Sequence, residues 1–172
     1  MSQSAETLTP INHGLRSDAE VVAALQPWLR RNLADSSKLN IDSIRRPEGS
    51  AVTNETILHD VSGTAGPRQL VVRVESPDYW YLEREMPIHY QLYKVFQDQH
   101  LVPTPRVFGI EEDLQVLGER FFVMERRPGI SLPDVPNYNQ SGWLAEASPA
   151  QRDLVWLRSV EGLAGFHRAS AG

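Results

Sequence analysis

The chain predicts an α+β fold, a five-stranded antiparallel sheet carrying one helix between its third and fourth strands. Three observations predict it. Apolar spacing is helical up to Leu33, strand-like from Leu39, and helical again after the break at Ser76-Pro77-Asp78. The turn clusters Pro47-Glu48-Gly49-Ser50 and Ser62-Gly63-Thr64-Ala65-Gly66-Pro67 divide the first strand-like stretch into three, the pattern of a meander. Two further β-rich runs, Arg106 to Glu111 and Arg120 to Arg126, follow the second helix.

The elements follow in order. Ser17-Asp18-Ala19-Glu20 is a capping box, in which the Ser hydroxyl accepts from the third amide and Glu20 reaches back. Behind it Val21, Val22, Leu25, Trp28, Leu29 and Leu33 recur at helical spacing, with Pro27 inside the pattern as a kink or a break. Asn40 to Ile44 is a modest strand, and Thr53 to Val61 a second. Gln69 to Glu75 is the strongest strand, rich in β-branched residues. Leu82, Met86, Tyr90, Tyr93 and Phe96 mark the next helix. Pro87 is cheap only in a first turn, so the regular helix starts near Glu85 or Met86. Val102-Pro103-Thr104-Pro105 stops it, and Glu112-Asp113 turns between the last two strands. Residues 130–147 read as irregular. Ser148-Pro149-Ala150-Gln151 is a second capping box, followed at helical spacing by Leu154, Leu157, Val160, Leu163, Ala164 and His167.

Composition removes several function classes. The 172 residues include no cysteine, which excludes disulfides, thiolate zinc sites, iron–sulfur clusters and thiol nucleophiles. A net charge of −5 does not suit nonspecific nucleic-acid binding, which needs a cationic surface. No apolar run approaches the ~18 residues of a membrane span, and the first residues lack the basic-then-apolar pattern of a signal peptide, so a cytoplasmic location is expected. The five histidines, His13, His59, His89, His100 and His167, show no metal-ligand spacing, and no metal site is expected. Of the 17 basic residues only Lys38 and Lys94 are lysines.

Several stretches carry a family resemblance by their order and spacing: Ser50-Ala51-Val52-Thr53-Asn54-Glu55-Thr56, Leu70-Val71-Val72-Arg73-Val74, Arg84-Glu85, Val102-Pro103-Thr104-Pro105-Arg106-Val107, and Leu117 through Gly129. Pro136-Asn137-Tyr138, Gly142-Trp143-Leu144 and Leu163-Ala164-Gly165-Phe166-His167 extend it, over about residues 18–170. Together they resemble the aminoglycoside phosphotransferase family, and the element order resembles the N-terminal lobe of a protein-kinase-like fold. The resemblance implies transfer of phosphate from ATP or GTP, with Mg2+, to the hydroxyl of a small molecule.

The same resemblance implies the site residues. Ser50, Asn54 and Thr56 lie on the hairpin that would cover the nucleotide phosphates. Ser50-Ala51 stands where the family has a Gly-Gly pair, and an ordinary hairpin with a turn-forming Asn reads equally well. Arg73 stands where kinase-like folds place a Lys toward the phosphates. Alternation puts Val71, Arg73 and Glu75 on one face and Val72 and Val74 on the other, which suits a cleft or an exposed face alike. Glu85 matches the helix Glu that pairs with this cation, or is a solvated first-turn acid. Glu125 and Arg127 are candidates by position, in a connector whose backbone would bond the base.

The resemblance also implies a division: a flexible arm over 1–17, a nucleotide-binding lobe over 18–127, and over 128–172 a connector with the first helix of a helical C-terminal lobe. No His-Gly-Asp sequence occurs, so no catalytic residue is expected in this chain, and the chain reads as roughly the first half of a longer enzyme. The alternative is a non-catalytic nucleotide-binding or protein-interaction module. A homodimer through the face that would meet a second lobe is expected.

Overall fold

The computed structural model describes residues 16–33, 38–47, 54–63, 68–75, 86–100, 102–130, 132 and 137–168. Ser50, Glu85 and nearly all of the 1–17 arm lie outside the described residues. The elements are α1 (Asp18–Asn32), β1 (Asn40–Arg45), β2 (Asn54–Ser62), β3 (Arg68–Glu75), α2 (Met86–Gln99), β4 (Val107–Glu111), α3 (Leu114–Leu117), β5 (Phe121–Glu125), α4 (Trp143–Glu146) and α5 (Pro149–Arg168). The chain divides into two compact units. One holds the residues up to Tyr90 with Val107–Arg126, and the other holds Gln91–Arg106 with Arg127–Gly172.

The first unit contains the sheet, in the order β1-β2-β3-β5-β4, with all neighbours antiparallel. The predicted five-stranded sheet therefore forms, and β5 inserts beside β3 so that β4 becomes an edge. Residue alternation gives the sheet two distinct faces. One face buries Ile57 and Val61 of β2, Leu70, Val72 and Val74 of β3, and Phe121 and Val123 of β5 beneath Val21, Leu25, Trp28, Leu29 and Leu33. This is the main core.

The Ser17 hydroxyl accepts from the Glu20 amide at 3.4 Å, and Glu20 accepts from the Ser17 amide at 2.7 Å, so the first capping box starts α1 as read. These bonds hold the Glu20 carboxyl below its ordinary pKa. Pro27 neither ends nor divides the helix, which runs 15 residues through it. Interior proline costs about 3 kcal/mol. Beyond it Trp28 and Leu29 are fully buried, and burial stabilises by ~1.5–3 kcal/mol for each such side chain. The two together outweigh the proline. Trp28 meets Phe121 edge-on at 5.3 Å and donates its indole N–H to Glu111 at 2.9 Å. Gly109 makes room for the ring, since a Cβ there would lie 3.1 Å from Trp28 Cη2. Arg46 joins the base of the first hairpin to α1, bonding Glu55 at 2.8 Å, the Arg16 carbonyl at 3.1 Å, and Asp18.

Two stretches read as turn or irregular hold short helices. Asp113 caps α3 by accepting from the Gln115 amide at 2.9 Å, and Gly118 ends it in the left-handed conformation at φ 84. Trp143–Glu146 form the single turn α4 within the irregular connector.

In the second unit α5 starts at the second capping box, where Gln151 accepts from the Ser148 amide at 2.9 Å and the Gln151 amide returns a bond to the Ser148 hydroxyl. Phe166 meets Phe96 edge-on at 4.5 Å. No helix among the described residues is long and apolar enough to cross a membrane.

Candidate functional site

The sheet face opposite α1 holds Asn54, Thr56 and Arg73, and the strand registers order it into rows. In a twisted antiparallel sheet, directly paired residues point to the same side. One row runs Leu58, Val71, Met124 and Val107 across β2, β3, β5 and β4. Val71, Met124 and Val107 are buried and Leu58 half-buried, so this row is an apolar floor. One step along the strands the next row on the same face is Thr56, Arg73, Phe122 and Ile110. A further step brings Asn54 opposite Glu75, while the Glu75 amide donates to the Arg120 carbonyl at 2.9 Å and continues the ladder into β5. Rows on one face stand about 7 Å apart, two residues of strand. The face therefore changes from apolar to cationic and polar within roughly 14 Å. The ring of Tyr90 lies 6.2 Å from that of Phe122.

At the other end of this face Asp60 accepts from the Ser43 hydroxyl at 2.5 Å and from Gln69 at 2.9 Å. These bonds, with the charges of Arg45 and Arg126, hold its carboxyl below the usual range. The Arg126 amide donates to the Gln69 carbonyl at 3.0 Å, so that amide belongs to the sheet ladder.

Of the sequence-derived site residues, Asn54, Thr56 and Arg73 come together on this face. Asn54 is 7% exposed, and Thr56 pairs directly with Arg73. Arg73 shares its face with Val71 and Glu75, as alternation indicated. Glu125 pairs with Leu70, and its position in β5 places it on the α1 side, away from Arg73. Arg127 is exposed and belongs to the second unit. Ser50 and Glu85 fall outside the described residues.

Sequence reading missed three features. The first is the apolar row itself, of which the sequence reading placed only Val71 on the face of Arg73. The second is Glu75, 3% exposed, with Oε2 3.6 Å from the Arg120 guanidinium. The third is His59, 1% exposed on the α1 face between Ile44 and Leu70. Neither ring nitrogen of His59 has a hydrogen-bond partner among the described residues. Burial, seconded by the charge of Arg46, pushes its pKa down to about 4. The signal for both buried residues was alternation, since His59 shares a face with Ile57 and Val61.

Mg2+ finds no donor set here. No group of three histidine or acidic side chains able to hold a metal occurs among the described residues, and Glu75 is turned to Arg120. No step is assigned to a metal through these residues.

The sequence model of APH, the phosphotransferase enzyme family, matches residues 50–172. A solved structure described as a "putative aminoglycoside phosphotransferase" from Ralstonia eutropha JMP134 is similar at 20% identity and a TM-score of 0.45, over 65% of this chain and 29% of that one. The chain thus spans less than a third of that protein's length. No curated protein matches.

Proposed function

The chain belongs to the phosphotransferase enzyme family, with the α+β sheet of a kinase-like N-terminal lobe, and on that premise we propose that it is the nucleotide-binding half of an ATP- or GTP-dependent small-molecule phosphotransferase. The observation that carries the proposal is the succession of rows on the face opposite α1. A purine base needs an apolar surface, and the phosphates, set off from it by the ribose, need donors and positive charge. Leu58, Val71 and Met124 supply the first, and Thr56 and Arg73 the second, one row on.

In phosphoryl transfer the protein positions the reactants and stabilises charge, and forms little covalent chemistry of its own. Arg73 suits that task. Its planar guanidinium stays protonated and can hold two phosphate oxygens at once. The sequence contains no His-Gly-Asp loop, so the contribution of this chain is binding and orientation. The acceptor is a small-molecule hydroxyl, as in the family reading, and a cytoplasmic setting fits such a substrate.

Substituting Arg73→Ala is expected to weaken ATP binding by about tenfold to a hundredfold, the loss of one or two charge-assisted hydrogen bonds. Isothermal titration of the wild-type and variant chains with ATP measures it. Equal affinities contradict the assignment of Arg73. No binding by either chain favours the alternative of a protein-interaction module.

A specific observation supports association as well. α5 exposes Leu154, Trp156, Leu157, Val160, Leu163 and Phe166, with Trp156 at 73%. A helix apolar around most of its girth calls for cover. The 172-residue chain is expected to self-associate through α5, seen by light scattering after size-exclusion chromatography as a mass above 19.4 kDa. A monodisperse monomer at high micromolar concentration contradicts this.

A further inference from the structure

Glu75 is the buried charge that the nucleotide reading leaves unused. It ends β3 on the same face as Arg73, two residues on and so about 7 Å away along the strand. Directly across the β3–β5 ladder stands Arg120, with its side chain 38% exposed and a nitrogen 3.6 Å from Glu75 Oε2. That separation exceeds the ~2.7–2.9 Å of a charge-assisted hydrogen bond. Oε1 is buried, with no hydrogen-bond partner among the described residues. A carboxylate 3% exposed with so loose a partner is costly to the fold, and Gln would fit the same space without the charge. Such a cost points to a task.

We propose that Glu75 is a positioning residue: its carboxylate, two residues beyond Arg73 on its own strand and across from Arg120 at the entry to β5, orients the two guanidinium groups on one sheet face for a nucleoside polyphosphate. The inference rests on the nucleotide reading above. A guanidinium carries five donors in a planar fork, so it can meet a phosphate along one edge and a carboxylate along the other. Oε2 of the carboxylate faces Arg120, which leaves Oε1 as an acceptor for a second donor. Arg120 thereby becomes a second cation for the phosphates, diagonal to Arg73 across adjacent strands. Because the effect acts only on phosphate contacts, it leaves recognition of the base and ribose alone.

The experiment titrates ATP and adenosine separately into the 172-residue chain by calorimetry, with a thermal melt of each variant. Glu75→Gln is expected to weaken ATP by about tenfold, to leave adenosine within about twofold, and to leave the melting temperature unchanged or raised. In an Arg73→Met background the same substitution is expected to cost ATP affinity clearly less than tenfold, because only Arg120 is left for Glu75 to orient. Equal weakening of ATP and adenosine, or unchanged ATP affinity, overturns the proposal. If Glu75→Gln fails to fold, Arg120→Gln replaces it: ATP weakened several-fold with adenosine unchanged supports the proposal, and unchanged ATP affinity overturns it. The two readings fail differently. A wild-type chain that binds neither ligand removes the nucleotide reading and this inference together. A chain whose ATP binding falls with Arg73→Met but not with Glu75→Gln removes this inference alone.

Discussion

Replacing Trp28 by alanine is expected to lower the unfolding free energy by about 3–5 kcal/mol, the range for emptying a buried aromatic site. The ring is 1% exposed, meets Phe121 edge-on, and lies against Gly109. Its loss also leaves Glu111 without the indole donor 2.9 Å away. Domains of this size are stable by roughly 5–15 kcal/mol, so the variant stands near the edge of folding. Trp28→Phe keeps much of the volume and loses the N–H, and about 1–2 kcal/mol is expected. Urea unfolding followed by circular dichroism measures both. A loss below ~1 kcal/mol for Trp28→Ala would mean that α1 does not form the core with this sheet face.

The second large effect is a pH dependence centred on His59. In the folded chain its pKa lies near 4, against an ordinary value of 6.5. Above pH 6.5 the ring is neutral in both states and contributes no dependence. As the pH falls from 6.5 toward 4, the unfolded chain takes up a proton that the native chain refuses. Stability therefore declines across that window, by up to about 3 kcal/mol near pH 4. His59→Leu removes the titration and fills the same buried position with an apolar group. It is expected to flatten the His59 part of the decline and to keep stability at pH 7 at or above wild type. Chemical denaturation at pH 7, 6, 5 and 4 tests it, and an identical slope in both chains contradicts the assignment.

Local signals were legible in the sequence wherever physics acts over three or four residues. Both capping boxes, at Ser17 with Glu20 and at Ser148 with Gln151, form the bonds their spacing indicated. Pro87 is accommodated in α2, Met86–Gln99, as its tolerance in a first turn allows. The face of Arg73 followed from alternation alone. The insertion of β5 between β3 and β4 did not, because strand order is set by packing and not by sequence neighbourhood. With that order unknown, Glu75 could not be matched to Arg120, nor Val71 to Met124, so the apolar row and the buried acid stayed hidden. Pro27 misled for a related reason: its local penalty is visible in sequence, while the burial of Trp28 and Leu29 that exceeds it is a tertiary quantity. α3 was too short to show a period.

The central claim is that nucleotide meets the sheet face opposite α1. An ATP titration of the isotope-labelled chain, followed by nuclear magnetic resonance, tests it residue by residue. The side-chain signals of Thr56, Leu58, Val71, Arg73 and Met124 are expected to shift, and those of Ile57, Val72 and Val123 on the α1 face to hold still. Shifts centred on the α1 face, or none at millimolar ATP, would contradict it.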